Sequence, residues 1–173
     1  MPQDERLNIR LLSSLEKVFA DEELKSESYN KGSMLSNEVY SFQVAYHWTG
    51  VMQKQVGVNV RSELSQWIAI RQVGLVPSEM PCYFDYDENV LRTVPGLYPD
   101  PLMPLDIAEG LTILPGQWRS IWITVETRGE VKAGTYPITV VFLTASGDEL
   151  GEASFHLEIF DDLLPRPIGN VPN

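Results

Sequence analysis

Apolar residues recur at every second position through most of the chain, which is the period of a half-buried β-strand. Leu7, Ile9 and Leu11 alternate with Asn8 and Arg10. Tyr40, Phe42, Val44, Tyr46 and Trp48 point one way, and Ser41, Gln43, Ala45 and His47 the other. Val56, Val58 and Val60 repeat the pattern against Gly57, Asn59 and Arg61. Ile68 and Ile70 open a further strand whose phase slips to Val73 and Leu75, which predicts a bulge near Arg71 and Gln72. Three more strands are carried by Ile121, Ile123 and Val125, by Tyr136, Ile138, Val140 and Phe142, and by Ala153, Phe155, Leu157 and Ile159. Ser146-Gly147-Asp148 supplies a hairpin turn between the last two. Helical pattern is scarce. Ser14 to Lys25 reads either as a short helix with Leu15, Val18 and Phe19 on one face, or as a strand edge followed by an acidic loop.

Many short strands with one apolar face each predict two stacked antiparallel sheets, an all-β, immunoglobulin-like sandwich over residues 1–163. Gly134-Thr135-Tyr136 at a strand start resembles the tyrosine corner of such sandwiches, whose hydroxyl ties back to upstream backbone. A plain turn glycine before a core tyrosine accounts for it equally well. Pro77 to Gln117 breaks the alternation and holds seven of the twelve prolines. Within it TVPGLYPDPLMPLD, Thr93 to Asp106, is neither helix interior nor central strand, because proline lacks the N–H that both need. Leu97, Tyr98, Leu102, Met103 and Leu105 make it too apolar for a solvated linker. It reads as a long, ordered, proline-rich loop, of the kind usually kept for function. CYFDY, Cys82 to Tyr86, reads as a short strand inside it.

At 173 residues and 43% hydrophobic content the chain forms one domain with a real core. A formal charge of −11 excludes nucleic acid, since such a surface repels phosphate. The N-terminal MPQDERLN lacks the apolar segment of a secretory signal, and no apolar run approaches the ~20 residues that span a bilayer. The single cysteine, Cys82, permits no intramolecular disulfide. Together these predict a reducing, cytoplasmic setting without membrane contact.

Candidate chemistry is sparse. His47 and His156 fall on outward positions of different strands and, even with Cys82, make no usual zinc set. Asp85, Asp87 and Glu88 cluster, but the run lacks the glycine and distal glutamate of a calcium loop. There is no G-x-S-x-G and no phosphate-cradling glycine loop. No cofactor or metal is implied. The aromatics are more informative. Trp118 and Trp122 share a strand face with Ser120, Thr124 and Glu126, opposite Ile121, Ile123 and Val125. They therefore point away from the sandwich core, either exposed or covered by the proline-rich loop, with Tyr98, Leu102 and Met103 as a lid.

Three segments occur in order: LYPDPLMPLD (Leu97 to Asp106), GQWRSIWITVET (Gly116 to Thr127) and AGTYPITVVF (Ala133 to Phe142). This set resembles the N-terminal β-sandwich domain of glycoside hydrolase family 123 and its relatives, whose catalytic part is a domain of unknown function. The resemblance covers Pro95 to Pro165; the first half fits by strand pattern alone. It implies an accessory sandwich ahead of a (β/α)₈ barrel whose adjacent Asp-Glu pair cleaves N-acetylhexosaminides with substrate assistance. Such a barrel takes about 250 residues, so none fits within this chain. Leu164-Pro165-Arg166-Pro167 then opens an exit linker, residues 164–173, toward that catalytic domain. Asp161-Asp162 is not the family's acid pair, and no catalytic residue carries over. The expected role is a non-catalytic scaffold that docks through Tyr98, Asp100, Leu102, Met103, Trp118 and Trp122. Two rivals are a carbohydrate-binding module that grips glycan through Trp118, Trp122 and Tyr98, and a small hydrolase using the carboxylates of Asp85 to Glu88.

Overall fold

The computed structural model describes residues 5–165 and is an all-β sandwich. Its strands are β1 (Leu7–Ser13), β2 (Lys31–Leu35), β3 (Val39–Trp48), β4 (Gln53–Arg61), β5 (Ile68–Ser78), β6 (Gly96–Pro104), β7 (Leu111–Ile113), β8 (Trp118–Glu126), β9 (Gly134–Leu143) and β10 (Glu149–Phe160). The first sheet has the order β1-β3-β8-β5-β6 and the second β2-β10-β9-β4-β7. Pairing is antiparallel except between β2 and β10, which run parallel. Parallel neighbours need a long crossover, and most of the chain separates these two. The only helical piece among the described residues is a single 3₁₀ turn, Ser65–Trp67.

The alternating rows meet between the sheets. Phe42, Val44, Ile121, Ile123 and Val125 of the first sheet face Ile138, Val140, Phe142, Phe155, Leu157 and Ile159 of the second, all fully buried. Phe42 and Phe155 stack with ring centroids 4.1 Å apart and planes 8° from parallel. Each such side chain contributes roughly 1.5–3 kcal/mol on leaving water. The β9–β10 hairpin turns at Ser146-Gly147-Asp148, where Gly147 takes φ +91° and the Thr144 amide donates to the Asp148 carbonyl.

Four expectations change. The segment from Pro77 to Gln117 is not one loop: it adds β6 to the first sheet and β7 to the second, each at an edge. Proline bars a central strand but not an edge, where the missing N–H costs no ladder bond. Cys82 to Tyr86 forms no strand. The predicted bulge near Arg71 is absent, since β5 registers unbroken with β8 from Ile68↔Val125 to Gln72↔Ile121. The irregularity lies farther on, against β6, between Val73 and Leu75. Val73 is buried on the outer face, so a second covered face mimicked a phase slip. Of the two readings of Ser14 to Lys25, the helix is lost and the strand edge followed by an acidic loop stands: β1 ends at Ser13, Leu15 is 88% exposed and Val18 is buried. The Arg166–Pro167 part of the proposed linker lies outside the described residues.

The chain passes out of the second sheet through a tied corner. The Ser36 amide donates to the Asp162 carbonyl, and the Asn37 side chain brackets the backbone of Leu164 from both sides. Ser36 and Asn37 precede Val39, which pairs with Glu126, while Ile68 pairs with Val125. This exit pole is therefore the β5 start. The β5–β6 connection, after Ser78, lies at the opposite pole.

Tyr46 tests the core. Its hydroxyl is buried without a partner among the described residues, and burial pushes its pKa up to about 12. An unpaired buried polar atom costs about 1–3 kcal/mol. Tyr46→Phe is expected to leave Tm unchanged or raise it, whereas Phe155→Ala removes the stacked ring and costs about 3–5 kcal/mol. Denaturant unfolding of both variants checks the contrast.

Candidate functional site

The outer face of the first sheet is covered by residues 14–26, an irregular strap that leaves β1 and crosses toward β6. Val18 and Leu24 of the strap are buried against Leu12, Ala45 and Trp118. Gln43, itself buried, fastens it: its amide donates to the carbonyls of Ser13 and Glu16 and accepts from the Ser120 hydroxyl. Arg10 donates to the carbonyls of Leu24 and Ser26, and its guanidinium lies 5.5 Å from the Trp118 ring centroid. The buried polar groups here are satisfied, as a stable cover requires.

At its far end the strap meets β6 and the β5–β6 connection. Phe19 packs edge-on against Tyr98, with ring centroids 5.5 Å apart. Arg92 lies over both rings, 5.0 Å from Phe19 and 5.4 Å from Tyr98. Its two terminal nitrogens grip Asp21 at 2.7 and 2.9 Å, and Glu22 approaches at 3.2 Å. This forked, charge-assisted grip holds the Asp21 carboxyl below its usual 3.8. Lys17 reaches the Pro99 carbonyl at 3.1 Å and the Asp100 carboxylate at 3.6 Å. Gly96 allows the close approach, because a Cβ there would lie 2.6 Å from the Arg92 guanidinium. The Tyr98 hydroxyl donates to the Val94 carbonyl four residues back, at 2.7 Å. Tyr136 does the same to Lys132 at 2.8 Å. Gly-x-Tyr thus makes the same tie twice.

Two clefts flank the Lys17–Asp100 pair. One, of about 400 Å³, is walled by Phe19, Val76, Val90, Leu91, Arg92 and Tyr98. The other, of about 170 Å³, runs down to Val18, Gln43, Val73, Leu102 and Trp122. The six predicted site residues therefore divide. Tyr98, Asp100, Leu102 and Trp122 gather at these clefts. Met103 pairs with Gln72 and so lies in the core-side row at the sheet edge, 42% exposed. Trp118 sits at the other end of the strap beside His47, 5.3 Å away. Both tryptophans point outward as the alternation predicts, but the cover over Trp118 is the strap; of the expected lid, Leu102 reaches Trp122's cleft. Sequence reasoning missed Lys17, Phe19, Asp21 and Arg92, whose one signal is the acidic run Asp21 to Glu23 opposite a lone arginine.

A general acid needs its carboxyl pushed up, whereas the Asp21 carboxyl is held down by Arg92. Asp87 caps its own turn, accepting from the Asn89 amide at 2.8 Å. Among the described residues no three His, Cys, Asp or Glu side chains gather as for a metal, and no helix is long and apolar enough to cross a membrane.

No family model and no curated protein matches the sequence. Solved structures match by fold. A family 123 glycoside hydrolase from Clostridium perfringens, described for glycolipid glycan hydrolysis, superposes with TM-score 0.68 at 13% identity, over 92% of this chain and 28% of that one. AvmM, which catalyses macrocyclization in alchivemycin A biosynthesis, gives TM-score 0.43 at 11% identity over 94% and 92%. A Niemann-Pick type C2 protein from the Japanese carpenter ant gives 0.37 at 10% over 74% and 79%. The fold is thus that of a sandwich also present within a glycoside hydrolase more than three times the aligned length.

The Arg92 latch has a defined pH dependence. Asp21's folded pKa is depressed, so its contribution is present above 3.8 and disappears as pH falls through the lower folded value. Asp21→Asn at neutral pH is expected to raise hydrogen exchange across residues 18–24 while leaving β3 and β8 protected. Acidification below the ordinary aspartate range should do the same in the parent chain and add only a smaller increment in the variant, where Glu22 alone still faces Arg92.

Proposed function

We propose that this chain is a non-catalytic β-sandwich module of a glycosidase-like polypeptide, working beside a (β/α)₈ catalytic domain. The observation that carries the reading is the coincidence of nearly the whole chain with 28% of a glycoside hydrolase. Two features support it. Of the carboxylates that line the two clefts, Asp100 meets Lys17 and Glu16 accepts from the Ser26 hydroxyl. The exit pole also leaves Val39, Phe160, Leu163 and Leu164 exposed around the tied corner. A neighbouring domain that covered them would bury apolar side chains already fixed in place. The proline-rich edge strand adds Leu97, Leu102 and Met103, exposed on backbone whose prolines reduce the entropy lost on docking. Glycan binding through Trp118 and Tyr98 is disfavoured, because Arg10 covers one ring and the Tyr98 hydroxyl is spent on Val94.

The test compares this chain with a longer polypeptide that continues into a barrel. Chromogenic N-acetylhexosaminides are expected to be cleaved by the longer form alone. Amides of residues 97–105 and 160–165 should exchange more slowly in it than in the isolated chain. Turnover by the isolated chain, or equal exchange in both, defeats the reading.

A further inference from the structure

We propose that the β5–β6 connection, Met80 to Leu91, is a glycan-contacting tip that takes uncharged or amino sugars. It deepens the accessory-module reading and rests on it for the kind of partner. Tyr83 is 77% exposed, Phe84 fully so, and Tyr86 53%. Three adjacent rings without cover are costly to keep in water unless something stacks on them. Glu79, Asp85, Asp87 and Glu88 interleave with them, and no lysine or arginine occurs from Gln72 through Leu91.

That interleaving selects the partner class. Cores of protein–protein interfaces are depleted in aspartate and glutamate, because burying a carboxylate without a partner is expensive. A sugar meets both groups at once: its C–H face lies on an aromatic ring while its hydroxyls donate to carboxylate oxygens. An ammonium on an amino sugar adds a charge pair. Anionic glycans and anionic membranes meet four carboxylates and no cation.

The tip is also held in place. Pro77, Pro81 and Pro95 limit its backbone. Asp87 caps a turn within it. Arg92, gripped by Asp21 and Glu22, and the Tyr98–Val94 bond anchor its returning limb. Because it projects from the pole opposite Asn37 and Leu164, docking at that corner leaves it free, while docking along β6 reaches its base at Leu97.

Native gel electrophoresis through soluble xylan, hydroxyethylcellulose, glycol chitosan or heparin tests the proposal. The chain is expected to be retarded by at least one of the first three and not by heparin. Tyr83→Ala/Phe84→Ala is charge-neutral and at exposed positions, so it should fold normally by near-UV circular dichroism and lose about tenfold or more in affinity. Asp85→Asn should weaken binding less. Failure of all three neutral or amino-sugar gels to retard the chain overturns the tip. So does retardation that the double variant leaves unchanged, or a preference for heparin. Concentration-dependent self-association relieved by the double variant also overturns it, in favour of a second copy. None of these outcomes bears on exit-pole docking, which the exchange comparison decides separately.

Discussion

The structure depends on β8 being apolar on both faces. Ile121, Ile123 and Val125 enter the sandwich, while Trp118 and Trp122 leave it on the other side. A sheet in a two-layer sandwich needs cover on one face only. Two outward tryptophans on its central strand demand a third layer, and among the described residues no α-helix or further sheet supplies one. The strap meets that demand with very little: Val18 and Leu24 for apolar cover, Gln43 and Arg10 to satisfy its backbone carbonyls, and its own Lys17 to reach the Pro99 carbonyl of β6. Arg92 follows from the same need. Once the strap has crossed the sheet its acidic end must be fixed, and a cation clamped between two rings and two carboxylates does that.

Edges are managed by a different device. β6 lies at the end of the first sheet with prolines at 99, 101 and 104, so part of its outward edge has no N–H to offer another strand. The Pro99 carbonyl, which would otherwise face a newcomer, is taken by Lys17. The strand start is pinned by the Tyr98 hydroxyl, as the start of β9 is pinned by Tyr136. In both cases glycine sits two residues before the tyrosine. The ring then folds back over its own entry turn and satisfies a carbonyl that the strand cannot reach.

The core was legible because its physics is periodic. Phe42 to Tyr46, Ile121 to Val125 and Phe155 to Ile159 each announce an inward row, and each row is buried. Even the outward aim of Trp118 and Trp122 follows from counting by two. What alternation cannot report is cover supplied by a segment with no period of its own. Leu15, Val18 and Phe19 looked like one helical face, yet only Val18 is deeply buried, since the strap runs irregularly across several strands. Val73 mimics a phase slip for the same reason: a strand with two buried faces loses its alternation while Ile68 to Gln72 keep their register with β8. β6 was hidden by its prolines, which exclude the middle of a sheet but not its margin. The second Gly-x-Tyr lay unnoticed among them. The Arg92 latch joins residues 71 apart in sequence, and no local pattern carries that information.

On the proposed reading, the two poles divide the labour that one exposed apolar surface would otherwise have to share. At the exit pole the exposed residues are aliphatic or lone, namely Val39, Leu163, Leu164 and Phe160, around a corner where Ser36 and Asn37 hold the departing chain. At the other pole three rings, Tyr83, Phe84 and Tyr86, accompany exposed Met80 and Leu91 among the carboxylates of Asp85, Asp87 and Glu88. A surface meant for permanent burial gains from aliphatic side chains and loses with every carboxylate it must desolvate. A surface meant to meet a hydrated, hydroxyl-rich ligand can keep its carboxylates half in water and still offer ring faces. The strap joins these demands mechanically, because the residues that cover the tryptophans also brace the limb that carries the rings. Loosening Asp21 would then blur the tip while leaving the exit corner intact, since that corner's bonds involve neither the strap nor Arg92.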